Sequence, residues 1–361
     1  MKAIVSPSAL NKELKKMSHV VGKNKILPIV ECVLLEFKDD TLRIIGTDLE
    51  TTIVAETNCT TSDEFSFPVL MSDLVSICSA CNEMLSFDLK GNVLTITSGK
   101  SKFKITLDSE SSHFPKVPES EYDLSFDVDG GFYYSLSVAS LFKSKQESMV
   151  SMNKVGLNVM DGLVEVCGTD GLIVYTASNE YKSKKAVRVL MMPDGFIQST
   201  KSFQDGQVSI SDKFIKSTTG NTTVICRLIE QEFVDYASII KKDIQWNVKV
   251  NKETILMSIK KMLISADNLI SITRMDFADG GIKIYSYNNE TEREATDFVS
   301  CSVGVNLNDV CFNTNTLIHM LSNIDSEEIE FMLDGTRTPM YVRPYDDNSN
   351  ICLVRPIFFN N

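Results

Sequence analysis

The amino-acid sequence predicts an α+β protein built from three copies of one repeat, each with two helices packed on antiparallel strands. A Gly-Thr-Asp triplet ends one apolar strand and precedes another at Gly46, and it recurs 122 residues later at Gly168. A Lys-Lys-Met triplet occurs at 15–17 and at 260–262, an offset of 245 residues, almost twice that interval. Motifs repeated at domain-sized intervals indicate a repeated building block.

A helix is predicted at the start of each repeat. In PSALNKELKKMSHVVGK the initial proline suits a first helical turn, and Leu10, Leu14 and Met17 form an apolar stripe. The third repeat has the same spacing in NKETILMSIKKML, which begins at Asn251. The second repeat has a fainter counterpart, SVASLFKSKQESMVSM, from Ser137.

Strands and a second helix follow in each repeat. Strand pairs bounded by turn residues lead into the triplets, and in the third repeat the triplet has decayed at 288–290. The second helices are predicted in LMSDLVSICSACN, MMPDGFIQSTKSF and FNTNTLIHMLSNI. Related junctions, SHFPKVP and QEFVDYASII, predict boundaries near 123 and 245, so that the repeats comprise residues 1–123, 124–245 and 246–361.

The composition is typical of an acidic globular protein, with 43% hydrophobic and 23% charged residues and a formal net charge of −12. No apolar run is long enough to span a bilayer, and MKAIVSPSAL lacks the core of a signal peptide, so a cytoplasmic location is expected. The nine cysteines lie mostly inside apolar runs, which indicates reduced thiols in the core.

Cys78 and Cys81 form the single C-x-x-C of the sequence. With Leu74 and Ile77 they fall at helical spacing, which predicts a buried helix face. A zinc site would need a second pair at a suitable distance along the chain, and none is present. We interpret the two thiols as packing residues, with a redox or metal function as the less favoured alternative.

The sequence contains none of the usual catalytic constellations. Its three histidines stand apart, and it lacks the nucleophile elbow, the H-E-x-x-H helix, the P-loop and the dinucleotide fingerprint. We interpret Asp48 and Asp170 as turn residues whose carboxylates accept local backbone N–H groups. The acidic runs DSEEIE and ETERE resemble solvated turns, which leaves a metal-dependent nuclease as a minor alternative. We expect a non-catalytic protein with no cofactor and no metal.

Lysines concentrate on the predicted helices although the chain is acidic. A single such helix is usually a solvated face, but recurrence at equivalent positions indicates a surface that faces phosphates. No aromatic platform or base-reading cluster accompanies the lysines, so the predicted DNA contact is independent of base sequence. The lysines are Lys12, Lys15, Lys16, Lys23 and Lys25 in the first repeat, Lys143, Lys145 and Lys201 in the second, and Lys252, Lys260 and Lys261 in the third.

Four segments resemble one known family. LPIVECVLLEF followed by DTLRIIGTDLETTIVAE resembles the first domain of the bacterial DNA polymerase III beta subunit, the beta sliding clamp family. GTDGLIVYTAS, EFVDYASII and CLVRPIFF resemble that family's Thr-Asp-Gly-His-Arg-Leu segment, its Phe-Pro-Asp-Tyr junction and its Met-Pro-Met-Arg-Leu tail. The resemblance runs in order along the whole chain.

The resemblance implies a head-to-tail homodimer that closes into a ring of six similar domains. Helices would line a hole occupied by double-stranded DNA, so that an acidic exterior coexists with a basic interior. Such a ring is a processivity factor of DNA replication and has no chemistry of its own. The inner-surface residues implied most directly are Lys12, Lys15, Lys16, Lys23, Asn24 and Lys25.

The family also binds short linear peptides of DNA polymerases, the clamp loader and repair factors in a groove lined by the C-terminal tail. This chain departs from the family where Leu172 and Ile173 replace a His-Arg pair, Val234 replaces a proline and Arg355 replaces a methionine, so a different peptide preference is expected. Each wall residue also suits ordinary strand core. The wall implied is Thr169, Gly171, Leu172, Ile173, Val174, Val234, Ser238, Ile239, Leu353, Val354, Arg355, Pro356 and Ile357.

The resemblance implies that a first-domain edge strand pairs with a third-domain edge strand at the seam of the ring. KFKITL supplies Phe103, Ile105 and Leu107, and DNLISI supplies Leu269 and Ile270, although the same alternation suits core strands. The alternative function is a three-repeat protein-interaction scaffold that does not encircle DNA. A cellular clamp would act in the cytoplasm at the nucleoid, and a phage-encoded clamp in the host cytoplasm.

Overall fold

A computed structural model describes residues 1–22, 27–107, 111–181, 188–240, 243–265, 271–288, 290–345 and 347–358. No helix in these ranges is long and apolar enough to cross a membrane. The α-helices are α1 (Pro7–Met17), α2 (Met71–Ala80), α3 (Gly130–Phe142), α4 (Asp194–Thr200), α5 (Lys252–Lys261) and α6 (Thr314–Ser322). The first strands are β1 (Lys2–Val5), β2 (Cys32–Lys38), β3 (Thr41–Thr47), β4 (Thr51–Asn58), β5 (Thr60–Thr61), β6 (Phe65–Leu70), β7 (Leu85–Lys90), β8 (Val93–Ser98), β9 (Ser101–Thr106), β10 (Leu124–Asp129), β11 (Val155–Met160), β12 (Leu163–Thr169) and β13 (Ile173–Glu180). The remaining strands are β14 (Arg188–Met192), β15 (Asp205–Ile210), β16 (Phe214–Thr219), β17 (Thr222–Arg227), β18 (Trp246–Asn251), β19 (Ile272–Ala278), β20 (Gly281–Asn288), β21 (Arg293–Ser300), β22 (Leu307–Asn313), β23 (Glu328–Leu333), β24 (Met340–Pro344) and β25 (Asn350–Val354).

The chain divides into two compact units. The first comprises Met1–Ser137, Tyr181–Lys185 and Met192–Glu230, and the second comprises Val138–Glu180, Ala186–Met191 and Gln231–Asn361. The first unit has a five-stranded sheet ordered β5-β1-β7-β8-β9 and an eight-stranded sheet ordered β10-β15-β16-β17-β4-β3-β2-β6. The second has an eight-stranded sheet ordered β14-β11-β12-β13-β25-β24-β23-β18 and a four-stranded sheet ordered β21-β20-β19-β22.

Each eight-stranded sheet joins strands from two predicted repeats. In the first unit β17 pairs with β4, and in the second unit β13 pairs with β25. These joining pairs, like the hairpins around them, are antiparallel, so the predicted α+β class with antiparallel sheet is confirmed. The division into three repeats at 123 and 245 stays a prediction.

An aromatic core lies between the two sheets of each unit. In the first unit Phe37 stacks on Phe65 with ring centroids 4.7 Å apart and lies 5.6 Å from Phe87 of the facing sheet. In the second unit the rings of Phe277 and Phe331, also from facing sheets, meet edge to face at 6.4 Å. Aromatic pairs of this geometry contribute about 0.5–1.5 kcal/mol each beyond the burial of their area.

The two Gly-Thr-Asp triplets fold into the same turn. The Oδ1 atom of Asp48 accepts the backbone N–H groups two and three residues later, at 3.0 and 2.7 Å. Asp170 does the same, at 2.9 Å for both bonds. The residue after each aspartate, Leu49 or Gly171, has a positive φ of 80° or 87°. The interpretation of both aspartates as turn residues is therefore confirmed.

The third repeat forms this turn with an amide. Asn288, at the decayed triplet, accepts the backbone N–H groups of Glu290 at 2.9 Å and Thr291 at 3.0 Å. Asparagine has the same acceptor oxygen as aspartate, which the turn needs, but its side chain is uncharged.

The glycine of each triplet lets a helix pack directly on the strand. A Cβ atom at Gly168 would lie 1.9 Å from the carbonyl oxygen of Ala139 in α3. At Gly46 it would lie 2.6 Å from the Cγ2 atom of Val21, just after α1, and 3.1 Å from the sulfur of Met17. The close approach therefore requires glycine at 168, where the neighbour is a backbone oxygen, and favours it at 46, where the neighbours are side chains.

The structure corrects the predicted first helix of the second repeat. Helix α3 begins at Gly130, seven residues before the predicted Ser137, and it ends at Phe142. The carboxylate of Asp129 accepts the backbone N–H of Gly131 at 2.9 Å and so caps the helix. Burial of the aromatic side chains of this helix outweighs the low helix propensity of its two initial glycines.

The C-x-x-C pair lies at the end of α2. Leu74, Ile77 and Cys78 form the buried face of the helix, and Cys81 is its C-cap, which confirms the packing interpretation. Burial, with Cys81 as a smaller cause, raises the pKa of the Cys78 thiol to about 11. Few thiolates exist at neutral pH under these conditions, so Cys78 is a poor nucleophile. In the described ranges no three His, Cys, Asp or Glu side chains group as metal ligands do.

Candidate functional site

Helix α1 carries two lysines, Lys12 and Lys15, on its solvent-exposed side. Lys16 is only partly exposed, because its Nζ atom lies 2.5 Å from Glu13 and donates to the hydroxyl of Thr222 at 2.7 Å. Glu13 is only 3% exposed. Lys16 therefore neutralises a buried carboxylate and ties α1 to β17, whereas Lys12 and Lys15 remain available to a ligand.

Helix α5 carries the lysines of the third repeat. Lys260 is exposed, whereas the Nζ atom of Lys252 donates to the carbonyl of Ile324 at 2.9 Å. Lys261 is also exposed and forms an ion pair of 2.7 Å with Asp297. Hydrogen bonds from Lys261 and Ser258 lower the pKa of the Asp297 carboxyl.

The lysines of the second repeat do not lie within its helices. Lys143 and Lys145 follow the end of α3, and Lys201 is the C-cap of α4. Helix α3 has no charged residue from Gly130 to Phe142, and its exposed side chains include Tyr134 and Leu141. Lys23, Asn24 and Lys25 lie outside the described residues.

The predicted groove residues surround the join between β13 and β25. Ile173 pairs with Val354 and Val174 with Leu353, and Val174 and Leu353 share a core cluster with Tyr236 and Tyr341. Thr169, Ile173, Val174, Leu353 and Val354 are buried, whereas Leu172, Ser238, Ile239 and Arg355 are exposed and Gly171, Val234, Pro356 and Ile357 are intermediate.

The C-terminal tail is held by two backbone hydrogen bonds. The N–H of Arg355 donates to the carbonyl of Leu172 at 3.0 Å, and the N–H of Ile357 donates to the carbonyl of Cys311 at 2.7 Å. The tail thus runs from the β12–β13 turn to β22. Sequence analysis missed Cys311, because backbone contact between distant strands leaves no mark on the side-chain pattern.

The predicted junction segment packs against the β13–β25 join. The hydroxyl of Tyr236 donates to Glu165 at 2.5 Å, and that of Tyr341 donates to the carbonyl of Ile239 at 3.1 Å. Burial and the neighbouring Glu165 raise the pKa of Tyr236 far above its ordinary value. The Ile239 backbone is thus fixed while its side chain stays 47% exposed.

A loop after α3 completes this surface. The N–H of Ser144 donates to the carbonyl groups of Met152 at 2.8 Å and Thr169 at 3.1 Å, which holds the loop against the β12–β13 turn. A Cβ atom at Gly171 would lie 3.6 Å from the sulfur of Met152. Met152 thus lies beside Gly171 of the predicted wall, a neighbour that sequence analysis missed; Met149, Val150 and Met152, close together in the sequence, were the available signal.

Strand β9 is the edge of the five-stranded sheet. Phe103 and Ile105 are half-buried on it, as is Leu107 just after it, and Lys102 and Lys104 are exposed between them. Leu269 and Ile270, the predicted partners, lie outside the described residues. Strand β21 is an edge of the four-stranded sheet, and its Phe298 is 55% exposed. Sequence analysis missed β21 because its alternation is broken by charged residues.

Two models of one protein family match the first and last parts of the chain. A family model of the DNA polymerase III beta subunit N-terminal domain matches residues 1–118, and one of its C-terminal domain matches residues 237–357. The two models together match about two thirds of the chain.

Individual relatives are similar from end to end. The beta sliding clamp of Pseudomonas aeruginosa is 23% identical, with 98% of each chain covered, and that of Chlamydia muridarum is 21% identical, with 99% of each covered. A crystal structure of the Pseudomonas aeruginosa DNA polymerase III subunit beta bound to griselimycin matches with a TM-score of 0.91 at 22% identity, covering 99% of this chain and 100% of that one. The Bacillus subtilis sliding clamp structure matches with a TM-score of 0.90 at 16% identity, with both chains fully covered.

Proposed function

Because the chain belongs to the DNA polymerase III beta subunit family, we propose that two copies of it close into a ring that encircles double-stranded DNA. The ring is a non-catalytic processivity factor that tethers the replicative polymerase and its clamp loader. The observation that carries the proposal is the exposure of Lys12, Lys15 and Lys260 on helices of a chain whose net charge is −12. Cations placed on helices of an acidic protein suit a surface that faces phosphates while the exterior repels them.

The DNA contact is independent of base sequence. The long, flexible side chain of lysine ends in an ammonium group, which attracts phosphates but lacks the fixed fork geometry with which arginine reads a base edge. Among the described lysines we assign the main contact to Lys12, Lys15, Lys145, Lys201 and Lys260, because these are exposed. Lys16, Lys252 and Lys261 contribute less, since each already has an oxygen partner within its own unit.

The seam of the ring pairs β9 of one copy with β21 of its partner. Both are edge strands, and an unpaired edge offers a row of backbone donors and acceptors to another strand. The exposed Lys102 and Lys104 on β9 complement the exposed Glu294 on β21. The exposed ring of Phe298 gives the seam an apolar contact.

Partner proteins dock by short extended peptides on the surface around the β13–β25 join. Exposed Leu172 and Ile239 supply apolar contact area, and the backbone-anchored tail supplies a rigid wall. The three domains of the proposed clamp comprise residues 1–123, 124–245 and 246–361. Its place of action is the bacterial cytoplasm, where the nucleoid lies, and for a phage-encoded clamp the cytoplasm of the host.

The test is ring closure. Light scattering of the purified protein gives its mass in solution, and electron-microscope class averages give its outline. We expect twice the chain mass of 40.3 kDa and a ring with a hole wide enough for duplex DNA. A monomer at micromolar concentration, or a particle without a hole, would favour the interaction scaffold instead.

A further inference from the structure

Arg355 has a defined position on the candidate groove. Its backbone N–H donates to the carbonyl of Leu172, and two residues later Ile357 is bonded to Cys311 of β22. Val354, immediately before it, is buried in the join with Ile173 of β13. The chain is therefore held on both sides of Arg355, and its side chain leaves from an anchored stretch of backbone.

The guanidinium of Arg355 is exposed and makes no ion pair with any residue that the structure describes. Two acidic side chains in the segments of the candidate groove accept backbone N–H groups of their own segments. Asp170 accepts the N–H groups of Leu172 and Ile173, and Asp235 accepts that of Ser238 at 3.3 Å. In a chain with 48 acidic and 36 basic residues, this exposed cation is open to an anion that a ligand supplies.

Aliphatic side chains lie close to the backbone of Arg355. Leu172, whose carbonyl holds the arginine backbone, is 52% exposed, and Pro356 follows directly. A ligand that covers Leu172 and extends over Arg355 removes water from the guanidinium, and an unpaired charge at an interface is costly. A carboxylate in the ligand offsets that cost, because the planar fork of arginine binds a carboxylate through two parallel hydrogen bonds.

We infer that Arg355 determines the specificity of the groove, which selects an extended peptide of a partner protein that carries Asp or Glu beside its aliphatic anchor. This inference rests on the proposed function, since it presupposes a peptide groove. A peptide is favoured over single-stranded nucleic acid, because the exposed Leu172 and Ile239 supply aliphatic contact area, whereas base stacking needs a series of aromatic faces and Phe358 is a single exposed ring on the described tail.

The test is a selection of binding peptides, followed by affinity measurements on the best peptide and its Glu-to-Gln version. A displayed library of short peptides with one fixed central leucine and random flanks is selected against the full-length protein and against Arg355→Met. Arg337→Met serves as the control, because Arg337 is an exposed arginine on the turn between β23 and β24. We expect acidic residues at one flanking position with the wild type and the control, and their loss with Arg355→Met.

The affinity of the best peptide and of its Glu-to-Gln version is then measured by fluorescence anisotropy. We expect the acidic version to bind the wild type about tenfold more tightly, a difference of roughly 1.4 kcal/mol, and both versions to bind Arg355→Met equally. An acid preference that persists in Arg355→Met, or peptides that bind without any acid preference, would overturn this inference alone.

Two further outcomes distinguish a failure of the inference about Arg355 from a failure of the proposed peptide groove. If no peptide is retained by the wild type, the peptide groove itself is refuted, and the inference with it. A labelled oligo(dT) strand is the second probe, since phosphate could pair with the same arginine. Binding of that strand by the wild type that Arg355→Met abolishes, without any acidic peptide enriched, would assign the site to nucleic acid.

Discussion

Helices α1 and α3 both pack against a triplet glycine but differ completely in surface charge. Each lies against the glycine of a Gly-Thr-Asp triplet, Gly46 for α1 and Gly168 for α3. Helix α1 carries lysines on its exposed side, whereas α3 has no charged residue. The contact with the strand is constrained by atomic distances, and the solvent-facing side is free to vary with function. Comparing the two helices therefore separates what the fold needs from what a ligand needs.

The largest expected effect on the free energy of unfolding comes from substitution of the two triplet glycines. Gly168→Ala places a Cβ atom 1.9 Å from a backbone oxygen of α3, which cannot move without shifting the helix, so we expect a loss of about 3 kcal/mol in the free energy of unfolding. Gly46→Ala meets the flexible end of Val21, and we expect about 1 kcal/mol. Denaturant midpoints of the two variants measure the difference. Equal losses would show that the two packing contacts are equally tolerant.

The next effect concerns the buried ion pair of α1, which α3 lacks. Lys16→Met leaves the carboxylate of Glu13 buried without its cation, and we expect a loss of about 2 kcal/mol. Lys15→Met, at an exposed neighbouring position, is the control and should change stability by less than about 0.5 kcal/mol. A Lys16→Met protein as stable as the control would mean that Glu13 finds water or another partner.

A smaller effect on stability is expected from substitutions at the N-caps of the two helices. Asp129 accepts the N–H of Gly131 at 2.9 Å, whereas Ser6 accepts that of Ala9 at only 3.5 Å. We expect Asp129→Ala to cost about 1 kcal/mol and Ser6→Ala only a few tenths. Thermal midpoints of both variants provide the measurement. The reverse order would show that α3 is held by its buried aromatic side chains alone.

The smallest effect per residue is on DNA affinity. Lys12→Gln with Lys15→Gln should weaken binding to a short duplex by about two- to threefold per lysine and reduce the salt slope by about 0.9 per contact. Fluorescence anisotropy at several salt concentrations measures both, and Lys90→Gln at the exposed end of β7 is the control. Adding Tyr134→Lys to the exposed side of α3 should restore part of the lost affinity. If the double variant matches the control, the DNA surface does not include α1.

Much of the fold could be predicted from local patterns. The helix of Pro7–Met17 and the buried side of α2 follow from apolar spacing, and both triplet aspartates follow from turn chemistry. Helix α3 could not be placed, because its glycines and aromatic residues are poor helix formers, and the helix is favoured instead by the burial of Phe132, Tyr133 and Phe142 and by the cap at Asp129. Tertiary packing outweighed local propensity at that position.

The candidate site was less accessible to sequence reasoning. Lys12 and Lys16 are chemically identical in the sequence, yet only the structure shows that Lys16 is paired with Glu13. Cys311 holds the C-terminal tail through its backbone carbonyl, a contact that no side-chain pattern encodes. Strand β21 is an edge only because the four-stranded sheet ends there.

The sequence by itself determined the α+β class, the antiparallel strands, the turn role of the Gly-Thr-Asp triplets and the resemblance to the beta sliding clamp family. These features depend on residue spacing and local hydrogen bonding, which short segments carry. Only the tertiary structure decided which lysines are free, which groove residues are exposed and where the tail is anchored. Those properties depend on contacts between residues far apart in the chain, such as Arg355 with Leu172, and they exist only once the strands have paired.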